Sequence, residues 1–411
     1  MNRNNEEVDT GYLNVSVKSV RNAQPIPDAK VTVSKPNTVV EVLNTDSAGQ
    51  TETIPLGAPP VEYSEEVLGV KPYSEYQVDV EAPGYERVTV NGVQLFSEST
   101  AIQDIRLFAT NTPGTQEITI EQHTLWGTFP PKIPEAEVKP LPDGNGYIVL
   151  PQPAIPEYMV VHLGVPNDKT ARNVWIPFKD YITNVTCSEI YSTWPVQTIR
   201  ANILAILSFA LNRVYTEWYR GKGYDFTITN STAYDLMFVY GRNYYYNIQN
   251  IVDDLFTTYV TKPGIRQPLF TQFCDGSRVT CDGLEQWGSK SMGDQGKDAL
   301  TILRSYYGSN VYLKQADKVQ GVPISYPGEA LRIGSSGMDV RTIQTQLNSI
   351  SDNYPMIPKI KVDGIYGPKT ANAVKTFQKI FYLPATGVVD FATWYKISNI
   401  YVAVNRLSEL G

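Results

Sequence analysis

The stretch CSEIYSTWPVQTIR, residues 187–200, sets a single carboxylate, Glu189, among Cys187, Ile190, Tyr191 and Trp194. A carboxyl in apolar surroundings holds its proton to higher pH, because burial penalises the charged form. Such a group can protonate the leaving oxygen of a glycosidic bond. The same local sequence also fits a Glu at a helix N-terminus, favoured there by the helix dipole. Further polar groups lie in TNSTAYDLMFVYG, where Ser231, Thr232, Tyr234 and Asp235 could line a cleft or simply form a hydroxyl-rich turn. Asp235 or Asp225 could serve as the second carboxylate of a hydrolytic mechanism. Gln286, in DGLEQWG, could hydrogen-bond a substrate amide or brace its own Gln-Trp-Gly turn.

Other chemistries are poorly supplied. The chain has two histidines, His123 and His162, and no nucleophile motif near either, which argues against a serine hydrolase or an amidase. Of the three cysteines, Cys274 and Cys281 offer two thiolates, too few for a four-ligand zinc site. They could instead close a short disulfide loop or stay free. No metal and no cofactor is expected.

The elements that would position these groups can be read from periodicity. Ile199, Ile203, Ile206, Ala210 and Val214 form one stripe of a long helix that follows the turn at Tyr191–Pro195. Further helical stretches are expected over 245–259 and 296–307. Ahead of them, residues 11–108 alternate apolar with polar or β-branched residues between turns such as PIPDA, TDSAGQ and APGY, which predicts a small β-sandwich. Residues 109–158 are Pro-rich and read as an extended linker open to proteases. Residues 329–398 contain two loop-then-helix halves, with Val340, Ile343 and Leu347 in the first and Ala373, Val374, Phe377 and Ile380 in the second. Each half has a Gln near its helix centre, Gln344 and Gln378, a weak internal repeat. Thr370 is placed to cap the second helix.

The net charge of −7 is spread unevenly. Residues 1–110 hold 8 basic against 16 acidic residues, and residues 328–411 hold 9 against 6. No strongly basic field exists, which excludes a nucleic-acid partner as the leading reading. The 27 tyrosines suit sugar rings as well as strand cores. No run approaches the length of a membrane span, and MNRNNEEVDTG lacks the apolar stretch of an ordinary secretory signal.

Three resemblances follow. PIPDAKVTV, TDSAGQT and YQVDVEAPGYERVTV resemble the transthyretin-like, carboxypeptidase regulatory-like modules. The pattern DGIYGPKTANAVKTFQ, with Gly334, Gly337 and Gln344 before it and Leu383, Gly387 and Thr393 after it, resembles the three-helix peptidoglycan-binding domain. CSEIYSTWP with its long helix, TNSTAYDLMFVYG, and DGLEQWG running to SYYG are similar, in that order, to SpoIID-like lytic transglycosylases. Where that family often has a Gln, this chain has Leu236 and Met237. Where some members place a zinc-binding His, it has Thr280. The whole arrangement resembles the SleC-type spore cortex-lytic enzymes.

These resemblances imply a multidomain α+β chain: a β-sandwich pro-domain over 1–110, a linker over 111–158, a mixed α+β catalytic domain over 159–320 and a peptidoglycan-binding domain over 329–411. They imply cleavage of spore-cortex peptidoglycan with Glu189 as catalytic acid. Tyr191, Trp194, Ser231, Thr232, Tyr234, Asp235 and Gln286 are the expected substrate contacts. A subtilisin-like germination protease is the expected activator, cutting near Val149 and Leu150. The expected location is the spore, in the cortex and coat region, after synthesis in the mother cell.

Overall fold

A computed structural model describes residues 8–20, 23–36, 38–110, 114–140 and 152–405. The N-terminal strands are β1 (Asp9–Ser19), β2 (Lys30–Lys35), β3 (Thr38–Asn44), β4 (Ile54–Ala58), β5 (Ser74–Glu81), β6 (Arg87–Leu95), β7 (Thr100–Leu107) and β8 (Thr115–Thr119). After these come β9 (Ala154–Ile155), β10 (Tyr158–His162), β11 (Asn173–Pro177), β12 (Ile228–Thr229) and β13 (Tyr244–Tyr245). A five-stranded sheet runs β3-β2-β5-β6-β8, and a four-stranded sheet runs β13-β7-β1-β4. The alternation read in the sequence sets their inner faces. Val31, Val33, Val78, Val80, Val88 and Val90 from the first sheet and Leu13, Val15, Val17 and Ile105 from the second are all buried.

Neither sheet ends where the composition shifts. β8 continues the first sheet beyond residue 110, running parallel to β6 from Arg87↔Thr115 to Asn91↔Thr119. β13, from far along the chain, completes the second by pairing Tyr244 with Ile102 and Tyr245 with Ala101. An edge strand left open is a liability, and β8 covers that of β6 while β13 covers that of β7.

The Pro-rich stretch is also more than a spacer. Its described residues through 140 run through β8, a turn at 124–127 and otherwise irregular chain, yet His123 is fully buried and Lys139 is 3% exposed. The expected cut near Val149 and Leu150 falls in 141–151, outside the described residues.

The helices are α1 (Glu62–Glu65), α2 (Phe178–Glu189), α3 (Val196–Tyr215), α4 (Tyr246–Leu255), α5 (Gln286–Asp294), α6 (Ala299–Tyr307), α7 (Met338–Asn353), α8 (Pro368–Ile380) and α9 (Phe391–Asn405). α3 packs against α2, α4, α5 and α6. It is buried nearly all round, as a helix at the centre of a bundle must be. The helix expected over 245–259 stops at Leu255, and Thr258–Thr261 is a strand.

In the C-terminal unit the two glutamines do equivalent work. Gln344 on α7 accepts the Gly364 N–H at 2.8 Å and donates to the Ile365 carbonyl at 3.0 Å. Gln378 on α8 accepts the Gly387 N–H at 2.8 Å and donates to the Val388 carbonyl at 2.9 Å. Both glycines have positive φ, +77° and +73°, which side-chain-bearing residues resist. Thr370 does not cap α8. It is buried inside the first turn, where its hydroxyl accepts from Gln344 at 3.3 Å.

Candidate active site around Glu189

Glu189 is the last residue of α2 and is 3% exposed. Because this is a helix C-terminus, the dipole disfavours the charge, and the helix N-terminus reading of Glu189 is overturned. Two donors hold the carboxylate instead. The Met237 N–H binds Oε1 at 2.9 Å, and the Gln286 amide binds Oε2 at 3.3 Å. The same Gln286 nitrogen donates to the Glu189 carbonyl at 2.8 Å. The three stretches singled out by sequence, around 189, 237 and 286, therefore meet at one carboxylate.

Tyr191 and Trp194 follow directly and are each 2% exposed. The Tyr191 ring lies 4.6 Å from the His123 ring, 5.0 Å from Phe96 and 5.6 Å from Trp194. Trp194 lies 5.0 Å from Trp287. The polar atoms of this turn are bonded to the N-terminal part of the chain. Trp194 Nε1 donates to the Ser64 carbonyl at 2.9 Å, the Thr193 hydroxyl meets that of Ser64 at 2.8 Å, and the Ser192 hydroxyl meets that of Ser99 at 2.7 Å. Lys290 on α5 pairs with Glu65 at 2.6 Å.

Residues 123–139 run past the same site as a strap. His123 Nδ1 accepts the Leu125 N–H at 3.2 Å, which leaves its Nε2–H to donate to the Ile190 carbonyl at 3.1 Å. Burial, reinforced by the nearby Arg242 charge, holds the His123 pKa well below its usual value, so the ring is neutral. The Thr124 hydroxyl donates to the Ser188 carbonyl at 2.9 Å. Lys132 Nζ reaches the Asp235 carbonyl at 2.6 Å. Burial lowers the Lys132 pKa, while the Glu189 and Asp235 charges pull it upward. Cys274 and Cys281 form a disulfide, and Arg278 in the loop they close donates to the strap carbonyls of Thr124 at 2.8 Å and Gly127 at 2.6 Å. Sequence reading set His123 aside because no nucleophile motif lies near it; its partner Ile190 is remote along the chain.

The remaining candidates serve the framework. Asp235 is wholly buried, accepting from Arg213 Nε at 2.7 Å, from the Tyr219 hydroxyl at 2.7 Å and from the Thr229 N–H at 2.9 Å. It anchors the loop that delivers Met237 and, in this state, has no face open to a ligand. Arg213 goes on to form a bidentate pair with Glu135 of the strap, at 2.7 and 3.0 Å. The Ser231 carbonyl accepts the Asp235 N–H at 2.7 Å, as in the turn reading. Thr232 and Tyr234 offer their carbonyls to Lys132 at 3.4 Å and to Arg213 at 3.0 Å. Gln286 braces Glu189. Asp225 lies elsewhere, bonded to Asn173 at 3.0 Å. Burial pushes the Cys187 thiol up to about 12, so it is no nucleophile at neutral pH.

What the geometry offers is one carboxylate, oriented by two amide donors and shut away from solvent. Among the described residues no helix is long and apolar enough to cross a membrane. Residues 336–397 match the family of putative peptidoglycan binding domains, which links the chain to the bacterial cell wall. No curated protein matches the chain. Among solved structures, the TIE protein of Bacillus anthracis is 17% identical with a TM-score of 0.18, covering 25% of this chain and 17% of that one. A minor pilin of Streptococcus agalactiae is 16% identical, TM-score 0.19, covering 26% and 48%. The 3-chlorocatechol 1,2-dioxygenase of Rhodococcus opacus is 13% identical, TM-score 0.16, covering 27% and 59%.

Proposed function

We propose that the chain is a lytic transglycosylase that cuts the β-1,4 bond between muramic acid and glucosamine in spore-cortex peptidoglycan. Glu189 gives its proton to the leaving oxygen as the C1–O bond breaks. The resulting carboxylate takes the proton of the muramic 6-hydroxyl, whose oxygen attacks C1 and closes a 1,6-anhydro ring. No water or second carboxylate enters, which fits a site where Asp235 is committed to Arg213. The observation carrying this reading is the convergence of Met237 and Gln286 on the Glu189 carboxylate. Mass spectrometry of digested cortex tests it: an anhydro product is lighter by one water than a hydrolysed one.

The same site supports a zymogen reading. At 3% exposure Glu189 has no room for a glycan chain. The turn after it is hydrogen-bonded to Ser64 and Ser99, and the strap lies across Ser188 and Ile190. A subtilisin-like germination protease cutting between Pro140 and Pro153 would separate these covers from the site. The alternative is a non-catalytic cortex-binding protein of the spore. It is favoured by Leu236 and Met237, which are buried apolar residues where the resembling family offers a Gln.

A further inference from the structure

A second site lies along the chain segment that ends on Glu189. The loop between β10 and β11 and residues 223–226 border a cavity of about 610 Å³, a size in the range of small-molecule sites, ~300–1,000 Å³. Tyr224 supplies a partly exposed ring to it, backed by the buried Phe226 with centroids 5.1 Å apart, and His162 stacks on Phe226 at 4.5 Å.

The polar groups of the wall are already oriented. Asn173 Nδ2 donates to Asp225 at 3.0 Å, so its Oδ1 accepts from His162 Nδ1 at 2.8 Å. That chain leaves His162 Nε2 a bare acceptor, without a hydrogen-bond partner among the described residues. The Tyr224 hydroxyl donates to Asn167. Two residues beyond Asn173 on the same strand stands Trp175, on the same side of the sheet and 67% exposed. A tryptophan displayed on a strand beside a cavity contributes nothing to the core.

This lining selects a ligand class. Asp168 and Asp225 outweigh Lys169, which disfavours a phosphate or other anion. Flat aromatic faces beside amides and carboxylates suit a ring with one apolar face and equatorial hydroxyls. From Phe226 the chain passes through β12, is pinned by Thr229 to Asp235, and reaches Met237, whose N–H holds Glu189. We propose that this cavity, extended by Trp175, is a saccharide subsite for N-acetylated amino-sugar rings of the glycan strand. The identity of the sugar rests on the glycan-cleaving reading given above; the cavity does not.

The test is calorimetric titration of the full chain with the N-acetylglucosamine tetramer. The C-terminal unit stays in every variant and so contributes equally to all. Wild type and Glu189→Gln are expected to bind alike, and Trp175→Ala with Tyr224→Ala to bind about tenfold more weakly. If that pair fails to fold, Trp175→Ala alone, a surface change, carries the test. Equal binding by a folded variant, or no binding by wild type, overturns the subsite. Cortex lysis retained in Glu189→Gln, together with binding lost in Trp175→Ala, sinks the catalytic assignment and leaves the subsite standing.

Discussion

Gln286 Nε2 donates to the backbone carbonyl of Glu189 at 2.8 Å and to its carboxylate at 3.3 Å. One side chain thus satisfies an orphan carbonyl at the end of α2 and aims the acid that α2 presents. A carbonyl and a carboxylate lying together need a donor, and at 3% exposure of Glu189 water is not there to supply it.

Gln286→Leu removes that donor while keeping the bulk. The expected cost is ~1–3 kcal/mol of stability from the unsatisfied carbonyl, read as a lower denaturation midpoint. Lysis by the activated protein should fall further than stability alone explains. An unchanged midpoint would mean that the bond contributes nothing.

Activation by a cut is expected to be slow to complete. A nick between residues 140 and 152 breaks the chain but not the contacts of Ser64, Ser99, His123 and Glu135 with the rest. The two fragments should therefore co-elute in size-exclusion chromatography, with lysis appearing as the N-terminal fragment leaves. Full lysis by the intact, uncut chain would contradict the cover.

The sequence made the site's three pieces visible, because each is a local run with its own motif, and it made the glutamine repeat visible for the same reason. It hid what depends on distant pairing. Tyr244 and Tyr245 look like the start of a helix, yet they complete a sheet begun some 230 residues earlier. His123 meets Ile190, 67 residues away, and the neighbouring Tyr191 ring. Proline enrichment marks a stretch whose described residues after β8 form neither helix nor strand through 140, but Lys132 and Glu135 bind partners that no local pattern encodes. α5, QWGSKSMGD, escaped notice because its glycines and serines are weak helix formers and packing decides it.

Acid should loosen the structure through paired carboxylates. Burial raises the Asp253 carboxyl, but Lys179 at 2.6 Å and Lys396 at 3.0 Å outweigh it and hold the pKa below the usual value. Glu135 is lowered in the same manner: burial opposes, and Arg213 and Lys139 prevail. Groups depressed in the folded state contribute stability above their unfolded pKa and lose it as pH falls through the folded one. The thermal midpoint is expected to be level from neutrality to about pH 5 and to fall below about pH 4. Asp253→Asn should flatten part of that fall. A midpoint that stayed level to about pH 2 would contradict these assignments.

The most direct measurement is cortex lysis by Glu189→Gln, made in the full chain and cut by the activating protease beside wild type. An amide of the same shape keeps one acceptor oxygen for the Met237 N–H but can neither give nor take the proton of the reaction. Lysis should vanish while sedimentation with cortex sacculi persists through residues 336–397. A variant that still clears cortex at more than about a tenth of the wild-type rate would show that the acid lies elsewhere.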